Sequence, residues 1–144
     1  MIFVIALLIA LAVGIFSISR WVLHDDAADI QGTWQVEGTN STIVINETEI
    51  RMTSDVIFTY KLDSGSKNIT EKLDTKSGTS HYIFSVDRSE LLIMDRELDS
   101  FSSFFYDGAN LLKSFFTGNY DASKAALPDD AVNAESVTRL KRVS

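Results

Sequence analysis

The side chains able to do chemistry are few, and their spacing assembles no familiar constellation. His24 lies in a polar stretch and His81 in an alternating apolar run; they stand 57 residues apart, and neither belongs to a cluster with metal-ligand spacing. On a strand that turns Tyr82, Phe84 and Val86 inward, His81 points outward with Ile83 and Ser85 and reads as a surface histidine. Ser64-Gly65-Ser66-Lys67 satisfies S-x-x-K, a pattern in which a lysine assists a nucleophilic serine, with Lys76-Ser77-Gly78 near K-T-G and Ser54-Asp55 opening an S-D-N. That chemistry needs Ser and Lys on one helix face, whereas here the tetrapeptide falls in a turn between strands, and the S-D element comes first in the chain. Glu47 with Glu49, and Asp95 with Glu97, have the i, i+2 spacing of one strand face, which reads as a solvated face and not a tuned acid pair. Asn40, Asn46 and Asn68 head N-x-S/T tripeptides, and ordinary turn chemistry accounts for them. We therefore expect no catalytic residue, no metal and no cofactor, and a protein that is not an enzyme.

The elements that position these residues follow from composition and periodicity. The 144 residues, 45% hydrophobic, make one ordinary domain. With no cysteine, disulfides and thiolate chemistry are excluded, and a formal charge of −7 argues against nucleic acid as a partner. Met1 to Ser19 carry no charge, and Trp21, Val22 and Leu23 continue the apolar run past Arg20. At ~1.5 Å per residue, such a helix reaches roughly 28 to 35 Å against about 30 Å of hydrocarbon. Ser17-Ile18-Ser19 would suit a cleaved signal. However, no basic residue precedes the run and it exceeds the usual apolar core of a signal peptide, so residues 1–23 are read as an uncleaved transmembrane helix or signal anchor.

Residues 24–31 read as a short polar linker. From Gly32 to Asp95 short alternating runs are separated by turn residues, the pattern of an antiparallel meander with seven candidate strands. The expected fold is mainly β, a small antiparallel meander barrel over 32–95 whose inward set is Trp34, Val36, Ile43, Ile45, Phe58, Tyr60, Tyr82 and Phe84. Within 96–118, Phe101, Phe104, Phe105, Leu111, Leu112 and Phe115 recur at spacings of three and four and predict a C-terminal amphipathic helix packing on the barrel, with a hairpin turning at Asp107-Gly108 as the rival. Residues 119–144, polar and holding the single proline, read as a disordered tail.

Gly32-Thr33-Trp34 places Gly-x-Trp at the head of the first strand. With the meander that follows, it resembles the opening of lipocalin-like (calycin-type) barrels found in uncharacterised membrane-anchored proteins of Gram-positive bacteria. The resemblance makes Gly32 and Trp34 the barrel motif and implies that Trp34 closes one end of an up-and-down barrel that holds an apolar ligand in true lipocalins; it carries no activity. Large aromatics aimed inward on short strands argue for a filled barrel, with no large preformed cavity for a small-molecule ligand. The expected function is a membrane-tethered, non-enzymatic binding or interaction module, single-pass through residues 1–23 with its domain outside the cytoplasm. A lipocalin-type apolar-ligand carrier is the alternative, and a carboxylate-dependent hydrolase the more remote one. Phe101, Phe104, Phe105, Phe115 and Phe116 are the expected interaction surface. They either cover the barrel or face a membrane or a protein partner, and their few, acidic companions Asp99 and Asp107 favour the domain itself or a protein.

Overall fold

Alternating side chains along the chain set the inner face of a closed barrel. The computed structural model describes residues 1–52, 55–116, 127 and 137–143. Eight antiparallel strands close on themselves in sequence order: β1 (Gly32–Val36), β2 (Thr42–Ile45), β3 (Glu49–Arg51), β4 (Ile57–Asp63), β5 (Asn68–Leu73), β6 (Lys76–Phe84), β7 (Glu90–Met94) and β8 (Val137–Arg142). Three helices accompany them: α1 (Ile2–Trp21), α2 (Asp26–Asp29) and α3 (Ser100–Phe116). Closure comes from β8, which pairs with β7 on one side and β1 on the other, leaving the sheet without a free edge.

The core is the inward row of each strand: Trp34, Ile43, Ile45, Ile50, Tyr60, Ile69, Tyr82, Phe84, Leu91 and Leu140 are buried together, with Val36, Phe58, Leu62 and Ile93 partly buried against them. All eight residues of the expected inward set belong to this cluster, but Val86, expected inward on the same strand as Tyr82 and Phe84, lies past the end of β6 and is exposed. Turn chemistry sets the register. Asn46 Oδ1 accepts from the backbone N–H groups of Thr48 (2.9 Å) and Glu49 (2.8 Å), which folds β2 onto β3. Asp63 Oδ1 accepts from Gly65 and Ser66 between β4 and β5. Asp74, at φ +54°, turns β5 into β6, and Lys76 to Gly78 open β6, the longest of the eight strands.

Three expectations are corrected. The amphipathic helix is not C-terminal: α3 precedes the last strand. That strand, β8, lies inside the segment read as tail; the rest of 119–136 lies outside the described residues, apart from Leu127. The polar 24–31 stretch, read as a linker, carries α2 and delivers Ile30 into the core with no exposed surface. Gly32 follows at φ +136°, a backbone angle strained for any residue with a Cβ, and swings the chain from α2 into β1.

Candidate functional site

The polar residues the structure concentrates are at the barrel end that α2 covers. Asp25 caps α2 by accepting from Ala28 N–H (3.3 Å), which points the next residue, Asp26, at the barrel. Its carboxylate is buried and takes three donors: Lys67 Nζ at 2.5 Å, Tyr82 Oη at 2.7 Å and Arg88 Nη1 at 2.6 Å. Lys67 Nζ also donates to the carbonyl of Arg20 (2.7 Å), near the C-terminal end of α1. Lys67 and Arg88 have φ of +61° and +62°, and such left-handed non-glycine backbone costs about 1–3 kcal/mol each unless the surroundings hold it. Here the shared carboxylate holds both.

Electrostatics follow from this packing. Burial pushes the Asp26 carboxyl up, but the hydrogen bonds from Lys67 and Arg88, the Lys67 charge and the Tyr82 hydroxyl outweigh it, so its pKa lies below the ordinary value. Burial lowers the Lys67 ammonium against the opposing pull of Asp26. Burial first, then the Asp26 charge, raises the Tyr82 phenol.

A second buried group joins three elements. Arg20, in the last turn of α1, ion-pairs with Asp107 of α3, and its Nη2 donates to Ser103 Oγ at 2.5 Å. The other oxygen of Asp107 lies 2.8 Å from His81 Nε2 on the outer face of β6. His81 does point outward, but it is not a surface residue: with Asn68 and Met94 it forms a lateral row across β5, β6 and β7 that the 98–107 segment covers. Asn68 Nδ2 donates to the Leu98 carbonyl (2.7 Å), so this residue of the third N-x-S/T tripeptide is structural. Below it Tyr106 packs on Ile83, Leu92 and Met94, a small second core outside the barrel. His81 beside Asp107 has the form of a base and its orienting acid, but Ser103 is held by Arg20, and neither His81 nor Ser103 has exposed surface. The geometry is that of a lock joining α1, α3 and the barrel.

The remaining sequence candidates fall in separate places. Trp34 is fully buried and its Nε1 donates to the Ile30 carbonyl (2.8 Å). Over its ring, at 4.3 Å, lies the guanidinium of Arg142, which also donates to the carbonyls of Gln31 (3.0 Å) and Asp29. Phe104 packs against α1, on Phe16 and Trp21. Phe101, Phe105 and Phe116 are exposed; the Phe115 side chain lies outside the described residues. At the opposite mouth, burial and the Asp95 charge raise the Glu71 carboxyl. His24 borders two clefts of about 130 and 310 Å³ that share Arg20, Asp26 and Lys67 in their walls. Among the described residues no three His, Cys, Asp or Glu gather as a metal site.

Sequence inspection missed Arg20, Asp26, Ser103, Asp107 and Arg142 as a set. Only Arg20 carried a signal, a lone charge closing an apolar helix. No protein-family model, curated protein or solved structure matches this chain. The architecture, an eight-stranded closed antiparallel barrel, is consistent with the general calycin class, and α1 is long and apolar enough to cross a membrane.

Proposed function

We propose that the chain is a membrane-tethered, non-enzymatic binding or interaction module: α1 crosses the bilayer once and holds a filled barrel at the extracytoplasmic surface, where it meets a protein partner. The observation that carries this reading is the contrast along α1. Its apolar residues from Ile2 to Ile18 have no protein cover over most of their length, while Arg20, at its end, is buried in the lock with Asp107 and Ser103. A bare apolar helix needs lipid around it, and a buried ion pair at its end fixes what it carries.

Ser103 is held by Arg20, and His81 and Ser103 have no exposed surface, so this acid, base and hydroxyl grouping is closed to substrate, which supports a non-enzymatic role. The packed interior, with Trp34, Ile45, Ile69, Tyr82, Leu91 and Leu140 almost fully buried, supports an interaction module over an apolar-ligand carrier. Alkaline carbonate extraction of membranes bearing the full chain tests the tether: the protein stays in the pellet, and release into the supernatant contradicts it. Titration with a fatty acid or hydrophobic dye tests the filled barrel, since saturable one-to-one binding would favour the carrier. Protease added to intact cells cleaves the domain if it is extracytoplasmic and spares it if it is cytoplasmic.

A further inference from the structure

We propose that α3 lies in the membrane interface beside α1, with Phe101, Phe105, Leu112 and Phe116 inserted at the boundary between headgroups and acyl chains. The inference rests on the reading of α1 as a membrane span.

Four observations converge. First, these four residues are all exposed, Phe101 by 73% and Phe116 by 87%. At 100° per residue they fall within about 60° of arc on α3. Second, the opposite side of the same helix carries Ser103, Tyr106 and Asp107, which are turned to the barrel and to Arg20. The amphipathicity is thus the reverse of a helix covering a soluble core: its buried ion pair faces protein and its aromatic stripe faces out. Third, depth matches. α3 touches α1 at Phe16 (ring centroids 5.0 Å from Phe104), at Arg20 and at Trp21 (5.6 Å, stacked on Phe104). Phe16 lies one turn, about 6 Å along the axis, on the apolar side of Arg20, within the ~5–10 Å to which interfacial helices sink. Trp21, 43% exposed beside that crossing, has the amphipathic ring that settles at headgroup level. Fourth, the stripe carries no charge of its own; Asp107 is locked inward and Lys113 flanks the stripe. Attraction to lipid is then by apolar burial and does not need anionic headgroups. A bilayer is the occupant because ring contacts join the stripe to the helix read as the span, from Phe16 and Trp21 through Phe104 to Phe105 and Phe101, and a second copy or a partner protein is the competing occupant.

The chain has no cysteine, so single labels report one position each. We would place an environment-sensitive fluorophore on Phe105→Cys, Leu112→Cys, Ile9→Cys in α1 and Thr59→Cys on the exposed face of β4, in the full chain reconstituted into phosphatidylcholine vesicles. Circular dichroism melts confirm that each labelled chain is folded; the replaced side chains are exposed. The expected result is that the 105 and 112 labels, like that at 9, are quenched by doxyl-lipid and are several-fold less sensitive to aqueous iodide than that at 59. Iodide-sensitive labels at 105 and 112 with a shielded label at 9 overturn the inference and leave the tether standing. Labels at 105 and 112 shielded from both quenchers mean a protein occupant, which also overturns it. An iodide-sensitive label at 9 removes the span itself, and the inference with it.

Discussion

Asp26 concentrates more of the fold's polar energy than any sequence pattern suggested, because one buried carboxylate faces Lys67, Tyr82 and Arg88 together. Replacing Asp26 with Asn keeps the shape and removes the charge, leaving the buried Lys67 ammonium without a counterion and Arg88 with only the partly exposed Asp29 carboxylate at 3.4 Å; we expect a loss of about 3–5 kcal/mol in denaturant titrations of the detergent-solubilised chain. The pH dependence has a definite sign. The Asp26 pKa is lower folded than unfolded, so its stabilisation is complete above the unfolded carboxylate value of about 3.9 and disappears as pH falls through the folded one. Tyr82 behaves oppositely: its folded pKa is raised, so its contribution is complete below about pH 10 and is lost as the pH climbs beyond that. Tyr82→Phe should therefore lower stability by about 1–2 kcal/mol at neutral pH and flatten the alkaline decline seen in melts at pH 10 to 11. Part of that decline remains through Tyr60, whose phenol is also raised, by burial and then by the charge of Glu47. An alkaline limb identical to that of the wild type would remove Tyr82 from this role.

Seven of the eight strands were legible because their inward rows are apolar at period two, and α3 because its Phe and Leu residues recur at helical spacing. β8 was not, for a physical reason. Its inward row is Thr138, Leu140 and Arg142, so a single apolar residue is all that alternation shows, while the arginine satisfies itself over Trp34 and on carbonyls of the 29–31 segment. Leu140→Ala, which empties a site with almost no exposed surface between β1 and β7, should cost about 2–5 kcal/mol by thermal or denaturant melts; a loss below ~1 kcal/mol would mean the barrel does not depend on β8 for closure. The lock was illegible for a different reason: Arg20, His81 and Asp107 lie far apart in sequence, and only Arg20, a lone charge closing an apolar helix, stands out alone. Breaking it from one side, by Arg20→Met or Asp107→Leu, should destabilise the solubilised protein by about 3–5 kcal/mol, whereas the double substitution should recover part of that loss, because no charge is then left buried and unpaired. Additive losses would show that the two side chains do not act as a pair.

The whole molecule is a barrel joined to a long apolar helix without an intervening tether of free chain: α2 seals the barrel end, Lys67 binds the last turn of α1, and Arg20 links α1 to α3 and through Asp107 to His81. A flexible eight-residue linker would let the domain wander over the membrane; the lock instead presents one orientation to any partner. Paired spin labels on Leu11→Cys in α1 and Thr70→Cys on the exposed face of β5, read by pulsed electron paramagnetic resonance in lipid nanodiscs, measure this directly. The result we expect is one narrow distance distribution that broadens when Arg20→Met is added. A broad distribution in the otherwise unaltered chain would contradict the rigid presentation of the barrel by α1.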